Sequence, residues 1–101
     1  MNDGDRAWFS SRTAGAPATL RDRAEHFFAR TSGDSLAVRL AGAGSAALAA
    51  ATHDGATRRA ALDLLAADAL ITLALLASAE NDPEQLGAAA AGLRTQASAP
   101  A

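Results

Sequence analysis

Residues 60–79 read AALDLLAADALITLALLASA, a run of twenty residues without Lys or Arg. Only Asp63, Asp68, Thr72 and Ser78 interrupt its Leu, Ile and Ala residues. A segment this apolar is driven out of water, because exposing apolar surface is unfavourable. A bilayer, the rest of the chain or a second copy of the chain could cover it, and each alternative predicts a different architecture.

The carboxylates within this run argue against a membrane span. Twenty residues are long enough to cross a bilayer. Asp68 would then lie near the bilayer centre, where an acidic side chain costs about 2.5–3.5 kcal/mol, while each Leu returns only about 0.3–0.6 kcal/mol. The first seventeen residues are polar and acidic, whereas a signal peptide begins basic and then becomes apolar. We therefore expect no membrane partner and a cytoplasmic location.

The composition predicts a thin hydrophobic core. The chain has 101 residues, which is one small domain, and 30 of them are Ala, which buries little area. It has no Cys, so disulfides and thiolate metal sites are excluded. Small domains with thin cores usually need disulfides, metals or oligomerisation. Oligomerisation is the support that remains.

The periodicity predicts an all-α protein, a small bundle of about four helices. Leu20, Ala24, Phe27 and Phe28, for example, recur at i, i+4, i+7 and i+8, which is one helical face. No segment alternates as a strand would. We predict a flexible N-terminal arm over 1–16, a single helical domain over 17–95 and a frayed tail over 96–101. The predicted helices cover 17–30, 35–52, 56–80 and 83–95, with 35–52 and 56–80 forming a central antiparallel hairpin.

The central helix of this bundle has large apolar side chains on two sides. At about 100° per residue, one set of leucines clusters on one side, and Leu64, Ile71 and Leu75 cluster on nearly the opposite side. A helix that is apolar on two sides is buried between layers. We expect helix 35–52 to cover one side and a second copy to cover Leu64, Ile71 and Leu75, which gives a homodimer. The first set is Leu62, Leu65, Leu73 and Leu76.

Two further features suggest contacts. Trp8 and Phe9 are adjacent aromatics in a polar arm, so we expect them to dock either onto the bundle or onto a partner. A buried carboxylate needs a partner, and a turn near residues 54–55 places Asp68 across from about residue 41. We therefore predict an ion pair between Arg39 and Asp68, within the chain or across the dimer. The alternative is that Asp68 faces solvent at the rim of the bundle.

The sequence contains no clear catalytic or metal-binding pattern. Its two His residues, His26 and His53, lack a second His or a Glu at a spacing typical of metal sites. The net charge is −2, and acidic residues lie beside the Arg residues, which argues against nucleic-acid binding. We expect no cofactor and no metal.

One short pattern suggests an alternative. Residues 21–26, Arg-Asp-Arg-Ala-Glu-His, resemble the Arg-polar-x-x-x-His motif of the HEPN ribonucleases, which are all-α proteins that work as dimers. In that family the Arg and the His of two chains meet at the dimer cleft. The resemblance therefore implies catalytic roles for Arg21 and His26.

The functional hypothesis is a small non-catalytic protein-interaction module, an adaptor, regulator or inhibitor, that acts as a helical homo-oligomer and binds another protein. The alternatives are a bundle that binds an apolar small ligand in its core and a dimeric HEPN-like ribonuclease.

Overall fold

The computed structural model describes residues 1–81, 91–92 and 94–95, and every regular element within them is a helix. The helices are α1 (Asp3–Arg12), α2 (Ala18–Phe28), α3 (Leu36–Asp54) and α4 (Arg58–Asn81). The prediction of an all-α helical bundle is confirmed. Most of the predicted helix 83–95 and the predicted tail 96–101 lie outside the described residues, although 91–92 and 94–95 are helical.

Helix α1 occupies the segment for which the sequence predicted a flexible arm. Its first turn is capped by Asn2, whose Oδ1 accepts a hydrogen bond from the Asp5 backbone N–H at 2.7 Å. Asp3 and Asp5 lie in the first turn and Arg12 in the last, which suits the charges at the two ends of a helix dipole. The sequence prediction did not use this cap and these terminal charges, because the segment has no hydrophobic periodicity.

A tertiary contact anchors α1. The Phe9 ring is 2% exposed and stacks on Phe28 of α2, with ring centroids 5.5 Å apart. A ten-residue helix is marginal in isolation, so this packing supplies much of its stability. Burying two aromatic rings together also gives the bundle one of its few large core contacts.

Helices α3 and α4 start at side-chain caps. The Ser35 hydroxyl oxygen accepts a hydrogen bond from the Val38 N–H at 3.1 Å. The Thr57 hydroxyl oxygen accepts one from the Ala60 N–H at 3.0 Å. Between the two helices, Gly55 has a φ of 68°, a conformation that favours glycine.

The largest helix–helix contact is between α3 and α4, and small side chains line it. A Cβ added at Gly44 of α3 would lie 2.8 Å from Cγ1 of Ile71 on α4. The two backbones approach closely here because glycine and alanine leave room. The buried small residues are Ala43, Gly44 and Ala47 on α3 and Ala60, Ala66, Ala67, Ala74, Ala77 and Ser78 on α4.

Helix α4 is also long and apolar enough to cross a bilayer, judged by length and composition alone. It is the one helix among the described residues that meets these criteria. A core helix of a soluble protein meets them too, and α4 has a continuous buried face against α3 and α2. The cytoplasmic location stays a prediction.

Two glycines of α3 provide a matched test of this close packing. Gly42→Ala should raise the free energy of unfolding by about 0.5–1 kcal/mol, because Ala is the better helix former and the nearest atom to an added Cβ is 3.7 Å away. Gly44→Ala should lower it by about 1 kcal/mol or more through overpacking against Ile71. Urea denaturation measures both. Equal stabilisation by the two substitutions would contradict the close approach of α3 and α4.

Candidate functional site

The outward side of α4 carries a cluster of exposed leucines around two polar residues. Leu64 is 54% exposed, Leu65 is 56% exposed and Leu76 is 37% exposed, while Leu75 is half-buried. At about 100° per residue, these positions fall on one face. Asp68 and Thr72, both exposed, lie along the middle of it. We call this surface the leucine face; it consists of Leu64, Leu65, Asp68, Thr72, Leu75 and Leu76.

The leucine face is outside because a different side of α4 is buried. The sequence pattern predicts large apolar side chains on two nearly opposite sides of this helix. The structure instead buries a third side, made mostly of small residues together with Asp63, Leu70 and Leu73. That side fits the flat surface of α3. The alanines, rather than the leucines, were the signal for the buried side.

The predicted interface residues on α4 therefore have different surroundings. Leu64 is exposed on the leucine face, and Leu75 lies half-buried at its edge. Ile71 is half-buried and packs against Gly44, so it contributes to the contact with α3 within one chain. Leu65 and Leu76 are exposed although the sequence pattern predicts them on the side that α3 covers.

The two N-terminal aromatics contact their own chain. Phe9 is in the core. Trp8 is half-buried, and its indole N–H donates a hydrogen bond to Glu80 of α4 at 3.1 Å. Arg12 also donates to Glu80 at 2.6 Å, and its guanidinium lies 5.3 Å from the Trp8 ring centroid. Hydrogen bonds from Arg12 and Trp8 lower the pKa of Glu80 below its ordinary value of 4.5.

The predicted ion pair between Arg39 and Asp68 is wrong within the chain. Arg39 donates through Nη2 to both carboxylate oxygens of Asp5, at 2.8 and 2.7 Å, and through Nη1 to the Gly33 carbonyl at 3.0 Å. Its side chain is 17% exposed. Asp68 is exposed on the leucine face, as the alternative proposed. The error follows from the missed helix α1, which supplies the true carboxylate.

A second buried ion pair joins α2 to α4. Arg23 donates through Nε and Nη2 to the two carboxylate oxygens of Asp63, at 2.5 and 3.3 Å. Asp63 is fully buried, and the Arg23 guanidinium lies over the Phe27 ring at 4.7 Å. The hydrogen bond to Asp63 raises the pKa of Arg23. The pair therefore satisfies the one carboxylate that interrupts the buried side of α4.

The residues of the HEPN-like pattern lie on α2. Arg21 and His26 are both half-buried, and five residues of helix separate them by about 140° around its axis. The His26 ring packs edge-on against Phe27. Burial, followed by the charges of Arg30, Arg23 and Arg59, lowers the pKa of His26. Nothing in this geometry tests RNA cleavage, so the catalytic roles stay a prediction.

Within residues 1–81, 91–92 and 94–95, no group of three or more His, Cys, Asp or Glu is arranged to hold a metal ion. Comparison with known protein families, with curated proteins and with solved structures found no match to the chain. The function of the leucine face therefore has to be inferred from its own residues.

The Arg23–Asp63 pair gives an asymmetric prediction. Arg23→Met should lower the free energy of unfolding by about 3–5 kcal/mol, because it leaves a buried carboxylate unpaired. In an Asp63→Asn background, where the substitution leaves no buried carboxylate unpaired, it should cost much less. Urea denaturation of the four proteins measures the difference. Equal costs in the two backgrounds would contradict a buried, charged Asp63.

The matched control is Arg6→Met. Arg6 pairs with Glu25 at 3.4 Å, and the two side chains are 61% and 36% exposed. Exposed ion pairs contribute at most about 1 kcal/mol. We therefore expect a small effect from this substitution in the same denaturation assay.

The Trp8–Glu80 contact predicts a pH dependence. A carboxylate whose pKa is lowered in the folded state stabilises that state above its unfolded pKa, and the stabilisation is lost as pH falls through the folded pKa. Trp8 is the only Trp, so its fluorescence should change at a pH below 4.5, the ordinary Glu value. Circular dichroism checks that the helices persist through the change.

Glu80→Gln should abolish this fluorescence transition, because the amide does not titrate. Glu25→Gln, on another helix, should leave it in place. A transition that survives in Glu80→Gln would contradict the assignment.

Proposed function

We propose that the protein is a small non-catalytic interaction module that acts as a helical homo-oligomer, with the hairpin of α3 and α4 at its centre. The observation that carries this proposal is the leucine face. Leu64 and Leu65 are each more than half exposed. Exposed leucines grouped on one helix face are typical of surfaces that bind another protein or another copy of the same chain.

The thin core supports oligomerisation. The contact between α3 and α4 is made largely by Ala and Gly, which bury little apolar area for each residue ordered. Among the described residues, the largest apolar side chains with essentially no exposure are Phe9, Phe28, Leu40 and Leu70. If a second subunit covered the leucine face, it would add the apolar burial that a chain of this size needs.

The charged side chains support a structural rather than a catalytic use. Asp5 and Asp63 are each held by an arginine from another helix, and so is Glu80. The pairs fasten α1 to α3, α2 to α4 and α1 to α4. These carboxylates therefore already have a role in holding the bundle together.

The oligomeric state tests the proposal. By light scattering at micromolar concentration, the protein should have at least twice its monomer mass of 10.1 kDa. Leu65→Arg should return the mass to that of the monomer, because it places a charge in the apolar contact. A wild-type monomer would contradict the proposal.

Val38→Arg is the matched control. Val38 is 55% exposed, nearly the same as Leu65, but it lies in the first turn of α3. Its substitution should leave the oligomer intact. Circular dichroism establishes that both variants fold. If Val38→Arg dissociated the oligomer and Leu65→Arg did not, the leucine face would not be the interface.

A further inference from the structure

Along α4, the leucine and polar positions of the leucine face have the same spacing from either end of the face. A Leu pair, Leu64 and Leu65, lies at one end, and a second Leu pair, at 75 and 76, lies at the other. Asp68 and Thr72 lie between them, each three residues from the nearer pair. The pattern is symmetric about residue 70. A two-fold interface requires such self-complementarity, since the same patch is presented by both subunits.

We propose that two copies of the chain pair through their leucine faces, with the two α4 helices antiparallel and a two-fold axis level with residue 70. This inference rests on the proposed homo-oligomer and specifies its arrangement. Antiparallel pairing about that axis places residue i of one copy level with residue 140 − i of the other. The pair Leu64–Leu65 then lies against Leu75–Leu76 of the second copy.

The polar centre of the face fits the same register. Asp68 of one copy lies level with Thr72 of the other, and the reverse pair lies on the other side of the axis. The Thr hydroxyl can donate a hydrogen bond to the carboxylate, so the covered Asp68 gains a partner. Such polar residues inside an apolar contact lower its stability but fix its register. A shift of one helical turn would place Asp68 against Leu76 in one direction and against Asp68 of the second copy in the other.

The charges at the ends of α4 favour the antiparallel direction. Arg58 and Arg59 lie at its beginning, and the sequence after α4 continues with Asp82 and Glu84; Glu80 at its end is already paired with Arg12 of its own chain. Antiparallel pairing brings the basic end of one helix to the acidic end of the other, whereas parallel pairing would bring like charges together. The opposed helix dipoles add to this preference.

A second copy is the occupant that these observations favour. The alternative is the segment after α4, folded back onto the leucine face of its own chain. The described residues of that segment, Ala91, Gly92, Arg94 and Thr95, are all exposed. The sequence of that segment does not repeat the symmetric spacing of leucine pairs found on the leucine face.

Cross-linking of two single-cysteine variants tests the arrangement. The chain has no Cys, and Ala61 and Ala79 are exposed on the same side of α4, near the midline of the leucine face. Their numbers sum to 140, so the proposed pairing brings Ala61 of one copy opposite Ala79 of the other. Ala61→Cys and Ala79→Cys leave every leucine in place. The two variants are mixed under dissociating conditions, returned to native buffer and treated with a short bismaleimide.

We expect a covalent dimer from the mixture and none from either variant alone. In the proposed pairing, residue 61 of one copy and residue 61 of the other are about 27 Å apart along the helices, given about 1.5 Å per residue. The same separation holds for residue 79. Cross-linking of either variant with itself would overturn the antiparallel arrangement. If light scattering gives a dimer but the mixture does not cross-link, this arrangement is wrong and the proposed function stands. A wild-type monomer, as expected if the C-terminal segment covers the face, overturns both.

Discussion

The close approach of α3 and α4 is the constraint on which the rest of the structure depends. Gly44 lets the backbone of α3 approach Ile71 of α4, and the buried alanines on both helices allow a short distance between them. A contact this close favours small side chains, and of the leucines of α4 it buries Leu70 and Leu73. The side of α4 that suits α3 is therefore its small side, and Leu64 and Leu65 remain outside. The same small residues that allow tight packing also limit the apolar area that one chain can bury.

The other helices are held to this pair by a few stronger contacts. Helix α1 is fixed by the stacked rings of Phe9 and Phe28 and by the Asp5–Arg39 pair. Helix α2 is fixed to α4 by the pair between Arg23 and Asp63. The ion pairs and aromatic rings thus orient short helices whose own apolar faces are small. In the Arg23–Asp63 pair, two guanidinium nitrogens donate to the two carboxylate oxygens, a bidentate geometry that arginine provides and lysine does not.

The sequence predicted the helical class and three helices to within about two residues, because hydrophobic periodicity and caps are local signals. It did not predict α1, whose one large core side chain, Phe9, acquires meaning only when Phe28 is beside it. Because α1 was not predicted, Asp5 lay in a segment that we expected to be a flexible arm. Arg39 was therefore paired with Asp68 instead of Asp5. For α4, the positions of the leucines predicted the wrong buried side. The close contact with α3 buries the side of α4 that carries most of its alanines. Which side of an all-round apolar helix is buried depends on its neighbour and cannot be predicted from its own pattern.

The central claim is that folding of the chain is completed by covering the leucine face with a second copy. The most direct measurement is the midpoint of thermal unfolding as a function of protein concentration. Association that is specific to the folded state stabilises it by mass action. The midpoint should therefore rise with concentration for the wild type and lose this dependence in Leu65→Arg. A wild-type midpoint that is the same at all concentrations would contradict the claim.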